Sequence, residues 1–141
     1  ECMTTEYQTY AKNVVENSKV LTQELVNNGM RAVTGGTDTH LALLDLQGIG
    51  VTGKEAEARS GAAGIVLNKN SIPYDPAPPS VSSGIRVGTP SVTTQGMGTA
   101  EMKTIASLIS RAITTDSAAT HADVKAEVTE LVTKFPAYPR P

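Results

Sequence analysis

Asn68-Lys69-Asn70-Ser71-Ile72-Pro73-Tyr74-Asp75-Pro76, followed after more prolines by Ser83-Gly84-Ile85-Arg86-Val87-Gly88-Thr89-Pro90, is the stretch that decides how this chain is read. Pro73, Pro76, Pro78 and Pro79 fix their own backbone and bias the residue before each away from helix, so residues 72–82 form an extended, rigid loop. The apolar residues beyond it, bounded by Gly84 and Gly88, predict a strand from Ile85 to Val87. Side chains alternate along a strand, so Arg86 points to the face opposite Ile85 and Val87. Arginine holds a carboxylate through two parallel hydrogen bonds. Glycines on either side favour close approach by a ligand or another backbone. An exposed arginine on a sheet edge is the competing reading, and these residues alone do not separate the two.

Working outward, Thr4 or Thr5 caps a long helix running to about Asn28. Tyr7, Tyr10, Ala11, Val14, Ser18, Leu21 and Leu25 recur on one face, and Asn27-Asn28-Gly29 ends it. Arg31 to Thr34 predicts a short strand, Gly35 to Asp38 a turn, and the apolar run Leu41 to Leu46 the buried centre of a sheet. Thr52 and Glu55 have the spacing of a capping box for a helix from Gly53 to about Ser60, closed by Gly61 and Gly64. Ile65-Val66-Leu67 predicts a further strand. A helix from about Thr99 to Thr114 presents Met102, Ile105, Ala106, Ile109 and Ile113. The last helix is expected from about Ala122 to Phe135, capped by Thr120, with Val124, Val128, Leu131, Val132 and Phe135 as its stripe and Pro136 as its stop. Thr114 to Thr120 is small and polar, as in a flexible link. Helix, then strands, then helices imply an α+β fold: a small, mostly antiparallel sheet with helices packed on one face.

Composition narrows the function classes. A chain of 141 residues fits one domain, and with no Trp and one Phe its core is aliphatic. The net charge of −2 provides no electrostatic footprint for nucleic acid or an anionic membrane. A single cysteine, Cys2, excludes an internal disulfide and fits a reducing compartment. No apolar run approaches the roughly 18 residues of a membrane span. The acidic start from Glu1 to Glu6 lacks the apolar core of a signal peptide.

Two motifs invite other chemistry. Gly48-Ile49-Gly50-Val51-Thr52-Gly53-Lys54 matches both Gly-x-Gly-x-x-Gly and the start of a phosphate loop. A phosphate loop needs Ser or Thr after the lysine to hold magnesium, whereas Glu55 stands there and repels phosphate. Asp38 and His40 share a face in an extended segment, but three or four convergent ligands are needed for a metal, and His121 is remote. Asp38 is expected to satisfy turn amides and His40 to open the strand. No metal site is expected. Asn70 offers a donor and an acceptor on one flat group, suited either to a heterocycle edge or to the backbone of a turn.

Four motifs in order, over roughly positions 34 to 96, resemble serine hydroxymethyltransferases. Thr34-Gly35-Gly36-Thr37-Asp38-Thr39-His40-Leu41 is similar to that family's Ser-Gly-Gly-Thr-Asp-Asn-His-Leu, and Val51-Thr52-Gly53-Lys54-Glu55-Ala56-Glu57 to its Leu-Thr-Gly-Lys-Glu-Ala-Glu. Asn68 to Pro73 and Ser83 to Pro90 match it nearly residue for residue. The resemblance implies the C-terminal small domain of a fold-type I pyridoxal-phosphate enzyme, spanning residues 1–141, with residues 1–28 as a helix leading to a large domain. It implies interconversion of serine and glycine with tetrahydrofolate, hence one-carbon metabolism and glycine biosynthesis, in a cytoplasmic homodimer or tetramer. Carried over by motif, Arg86 binds the substrate α-carboxylate, Asn70 contacts the pteridine of folate, and Lys69 is a weaker candidate for the polar tail of the folate. Gln95 replaces a family arginine, Ser91 an alanine and Thr39 an asparagine.

Pyridoxal phosphate needs a lysine, which in the family follows a run of threonines and a histidine. None of Lys12, Lys19, Lys54, Lys69, Lys103, Lys125 and Lys134 has that context. No catalytic residue is therefore assigned to this chain, and it is expected to be inactive alone. The alternative is a free-standing, non-catalytic binding or interaction module derived from the same domain. A threonine-rich His-Lys segment encoded upstream of Glu1 separates the two.

Overall fold

The computed structural model describes residues 2–138; Glu1, at the head of the acidic N-terminal stretch, and residues 139–141 lie outside it. Helix α1 (Thr5–Asn27) starts at Thr4, whose hydroxyl accepts the Tyr7 N–H at 3.2 Å. Its expected stripe is buried from Val14 onward through Ser18, Leu21 and Leu25. Tyr7 remains 41% exposed. The Tyr10 hydroxyl instead donates to the Pro90 carbonyl at 3.3 Å.

Strands β1 (Arg31–Ala32), β2 (Leu41–Asp45), β3 (Asn68–Asn70) and β4 (Gly84–Gly88) form one sheet in the order β1-β2-β4-β3. All three pairings are antiparallel. Ala42 and Leu44 of β2 and Ile85 and Val87 of β4 are buried on one face, in a common core with Leu21 and Leu25 of α1. Leu44 and Ile85 are fully enclosed; burying a side chain of this size stabilises by about 1.5–3 kcal/mol. Helices α2 (Gly53–Ala62) and α4 (Thr99–Thr114) complete that layer, with Ala56 of α2 and Met102, Ala106, Ile109 and Ile113 of α4 in the same cluster. The fold is α+β with helices on one face of the sheet, as its pattern predicts.

Several elements differ from the sequence reading, beginning with the first strand, which ends at Ala32 rather than Thr34. The third strand is Asn68–Asn70, not Ile65–Leu67. Gly64, at φ +78°, closes α2, and the chain then runs past β4 without pairing until Asn68. Ile65 and Leu67 still pack on the core while Val66 is fully exposed, so the alternation is strand-like without a partner. A short helix α3 (Pro90–Thr94), with proline in its first turn, follows β4 directly. The last helix, α5 (Ala118–Lys134), begins four residues before the expected Ala122. Ser117, not Thr120, is its cap, and accepts the Thr120 N–H at 3.4 Å.

The expected link from Thr114 to Thr120 is therefore reduced to the three residues between α4 and α5, and these are fastened. The ring of His121 is buried, and its Nε2 lies 3.1 Å from the Ala112 carbonyl and 3.0 Å from that of Thr115. Buried polar groups also join α1 to the segment after β4. Asn17 Nδ2 donates to Thr93 Oγ1 at 2.9 Å and to the Met97 carbonyl at 3.0 Å. The Thr89 hydroxyl, fully enclosed, donates to the Val14 carbonyl at 2.7 Å. Among the described residues no helix is long and apolar enough to cross a membrane.

Candidate functional site

The face of the sheet away from the helices carries Arg86. Its exposure contrasts with buried Ile85 and Val87, as the alternation along β4 requires. Asn68 is its partner across β3 and Leu43 its partner across β2, so both share its face. Asn70, opposite Gly84, is on the same face one step along the ladder. Diagonal neighbours of this kind stand about 7–8 Å apart, within reach of one ligand. The sheet thus brings Arg86 and Asn70 together, and it adds Asn68, which the sequence reading did not single out. The period-two spacing of Asn68 and Asn70 was the available signal.

Lys69 is placed differently. It alternates to the other face of β3, where its Nζ lies 3.0 Å from Glu57 Oε2 and its backbone N–H donates to Glu57 Oε1 at 3.1 Å. These two bonds, the side-chain one first, hold the Glu57 carboxyl below its ordinary range. Contact between Lys69 and a ligand on the Arg86 face requires that pair to exchange.

The other arginines among the described residues are engaged. Arg31 Nε and Nη2 both reach Asp45 Oδ2, at 3.1 and 2.8 Å. Arg59 donates to the Ile113 carbonyl at 2.8 Å and faces Glu55 and Asp116, and Arg111 pairs with Glu127 at 2.8 Å. Among the described residues the guanidinium of Arg86 has neither an ion-pair nor a hydrogen-bond partner. Beside it runs a groove of 780 Å³ with Ile65, Leu67, Val92, Ile105 and Leu131 in its apolar lining. The polar side chains of the groove are His40, Asn68, Arg86 and Gln95. An apolar cleft with a few polar groups and one free cation suits a small anionic ligand.

The 71–83 loop packs against this face at Gly84. A Cβ at Gly84 would lie 2.7 Å from Ile72 Cγ2 and 2.9 Å from the Asn70 carbonyl oxygen, so only glycine admits this approach. The residues suspected of phosphate chemistry are otherwise occupied. The Gly53 N–H donates to the Ser82 carbonyl and that of Lys54 to the Val81 carbonyl, both at 2.9 Å. Thr52 and Glu55 form the full capping box: Glu55 accepts the Thr52 N–H at 2.8 Å, and Thr52 Oγ1 accepts the Glu55 N–H at 3.2 Å. The Thr52 contacts, backbone first, hold the Glu55 carboxyl below its usual range.

Near the other end of β2, Asp38 does not serve the turn amides as expected. It is almost fully exposed and, among the described residues, reaches only Lys19, at 3.5 Å. Thr37 takes that part: its hydroxyl accepts the Thr39 N–H at 3.1 Å and donates to the Leu41 carbonyl at 2.6 Å. A hydroxyl can do both at once, which a carboxylate cannot. His40 does lead into β2, and its carbonyl accepts the Thr89 N–H at 3.0 Å.

Comparison with known proteins matches residues 1–109 to the family model for serine hydroxymethyltransferase. The chain belongs to the serine hydroxymethyltransferase family. It is 46% identical over 132 residues to the serine hydroxymethyltransferase of Coprothermobacter proteolyticus, covering 94% of this chain and 32% of that protein. This serine hydroxymethyltransferase-family chain thus spans about a third of the length of the curated relative it matches.

Proposed function

We propose that this chain is the C-terminal small domain of a pyridoxal-phosphate-dependent serine hydroxymethyltransferase that interconverts serine and glycine with tetrahydrofolate. The observation that carries the reading is the unpartnered guanidinium of Arg86 on the open sheet face, with Asn70 one step away. Arg86 receives the α-carboxylate common to serine and glycine, Asn70 reads the pteridine edge of the folate, and Lys69, on leaving Glu57, reaches the folate tail. Helix α1, within residues 1–28, leads to the large domain. The assembled enzyme is a cytoplasmic homodimer or tetramer serving one-carbon metabolism and glycine synthesis.

Pyridoxal phosphate, when bound, labilises the Cα bond that stands perpendicular to its ring. Fixing the carboxylate therefore chooses the bond: binding at a remote group is converted into orientation at the reacting one. The residues of this chain do not supply the cofactor's lysine. None of its lysines follows the run of threonines and the histidine that precede that lysine in the family. The chain alone is thus inactive, and contributes an anchor to a site completed by the large domain.

Arg86→Lys in the full-length protein tests the reading. Lysine keeps the charge and loses the fork. Serine turnover should fall by an amount corresponding to about 2–5 kcal/mol, with serine and glycine affected alike and the bound cofactor's absorption unchanged. Near wild-type serine turnover would return Arg86 to an ordinary exposed residue.

A further inference from the structure

The strands bearing Asn70 and Arg86 are joined by the long proline-rich loop, whose two roots must be held in register. The Asp75 side chain joins them, beside a contact of 3.2 Å between the Ser71 and Ser82 hydroxyls. The Asp75 carboxylate accepts the Ile72 N–H at 3.1 Å, the Ala77 N–H at 2.9 Å, the Ser83 N–H at 2.9 Å and the Ser83 hydroxyl at 2.6 Å. Ile72 is two residues beyond Asn70, and Ser83 is three before Arg86. The carboxylate therefore ties the chain leaving β3 to the chain entering β4. The Ile72 side chain, 6% exposed, packs over Gly84 on the face that carries both candidate ligands.

The same loop holds the only non-glycine residues with positive φ among the described residues, Tyr74 at +56° and Ser82 at +57°. Such conformations persist where the surroundings impose them. Tyr74 adjoins Asp75 in sequence, and Ser82 adjoins Ser83. The four donors, the Ser83 hydroxyl first, lower the Asp75 carboxyl to about 2, so it is ionised throughout the neutral range.

We propose that Asp75 is a positioning residue: by locking the roots of the 71–83 loop it sets the placement of Asn70 and Arg86 on the open face, without touching the ligand. This rests on the reading of Arg86 and Asn70 given above. Asp75→Asn keeps the size of the side chain but turns one acceptor into a donor facing N–H groups. Ser83→Ala removes only the shortest of the four bonds.

Both variants are made in the full-length protein beside Arg86→Lys and assayed well below their unfolding midpoints. Asp75→Asn should raise KM for serine and for tetrahydrofolate together, by about ten- to a hundredfold, with the cofactor spectrum unchanged. Ser83→Ala should raise both by about threefold. A lower unfolding midpoint with wild-type KM for both substrates would show that Asp75 only stabilises the loop, and the proposal falls. Should Asp75→Asn not fold, Ser83→Ala decides by the same criterion. If Arg86→Lys retains serine turnover, the reading of the site fails and takes this proposal with it. If Arg86→Lys is crippled and the Asp75 and Ser83 variants have wild-type KM values, the clamp alone is wrong.

Discussion

Arg31 and Arg86 have the same chemistry and both stand on exposed strand positions, yet only one is available to a ligand. Arg31 faces Asp45, 5% exposed, which also accepts the Gln47 N–H at 2.9 Å. Arg86 is flanked on its strand by two glycines and across the ladder by Leu43 and Asn68, none of which carries charge. Its exposure was legible from the alternation of one strand; its lack of a partner was not, since partners come from other strands. Polar residues inside the core show the same dependence. The Ser60 hydroxyl is buried without a hydrogen-bond partner. Ser60→Ala should therefore leave stability unchanged or raise it by up to about 1–2 kcal/mol, because alanine removes an unsatisfied group and favours helix. Urea unfolding measures this, and a clear loss of stability would reveal a partner for that hydroxyl.

Elements with strong end signals fell where the sequence put them. α2 starts at Gly53 because Thr52 and Glu55 close a capping box, and α4 runs from Thr99 to Thr114 as its apolar period requires. Thr52→Ala should destabilise by roughly 1 kcal/mol in chemical unfolding. ATP should not bind to this segment in a Lys54-dependent manner, since loop carbonyls already occupy the Gly53 and Lys54 N–H groups. Measurable Lys54-dependent binding would contradict that geometry. The start of α5 and the strand at Asn68–Asn70 were misread for one reason. Apolar residues mark what is buried, whereas strand pairing and helix starts are set by backbone partners. Ile65 and Leu67 are inward-facing without pairing, and Ala118 and Ala119, though exposed, are already helical because Ser117 caps them.

At the scale of the molecule, the carboxylates tied into structure include Asp75 across the loop roots, Glu55 at the start of α2, and Glu57 beneath β3. All three are held below their ordinary ranges, Asp75 from 3.8 to about 2. A carboxyl more acidic in the folded than in the unfolded chain stabilises above the unfolded value and ceases to do so as pH falls through the folded one. The unfolding midpoint should thus be nearly level from neutral pH to about pH 5, then decline, with the Asp75 share lost between about pH 4 and pH 2. Circular dichroism melts over this range test it. Asp75→Asn should start lower at neutral pH and decline less toward acid; a variant curve parallel to the wild type would place the acid sensitivity elsewhere.

The sequence by itself determined the α+β class, the single antiparallel layer, the capped helices and the family, because these follow from short-range periodicity, capping chemistry and contiguous motifs. It also determined that Arg86 faces away from the core, since alternation is a property of one strand. Tertiary structure alone decided that Asn68 and Asn70 share the face of Arg86, that Lys69 is turned to Glu57, and that Asp75 fastens both ends of the loop. Each depends on register between segments distant in sequence, and register is fixed by backbone pairing and packing that no local pattern encodes.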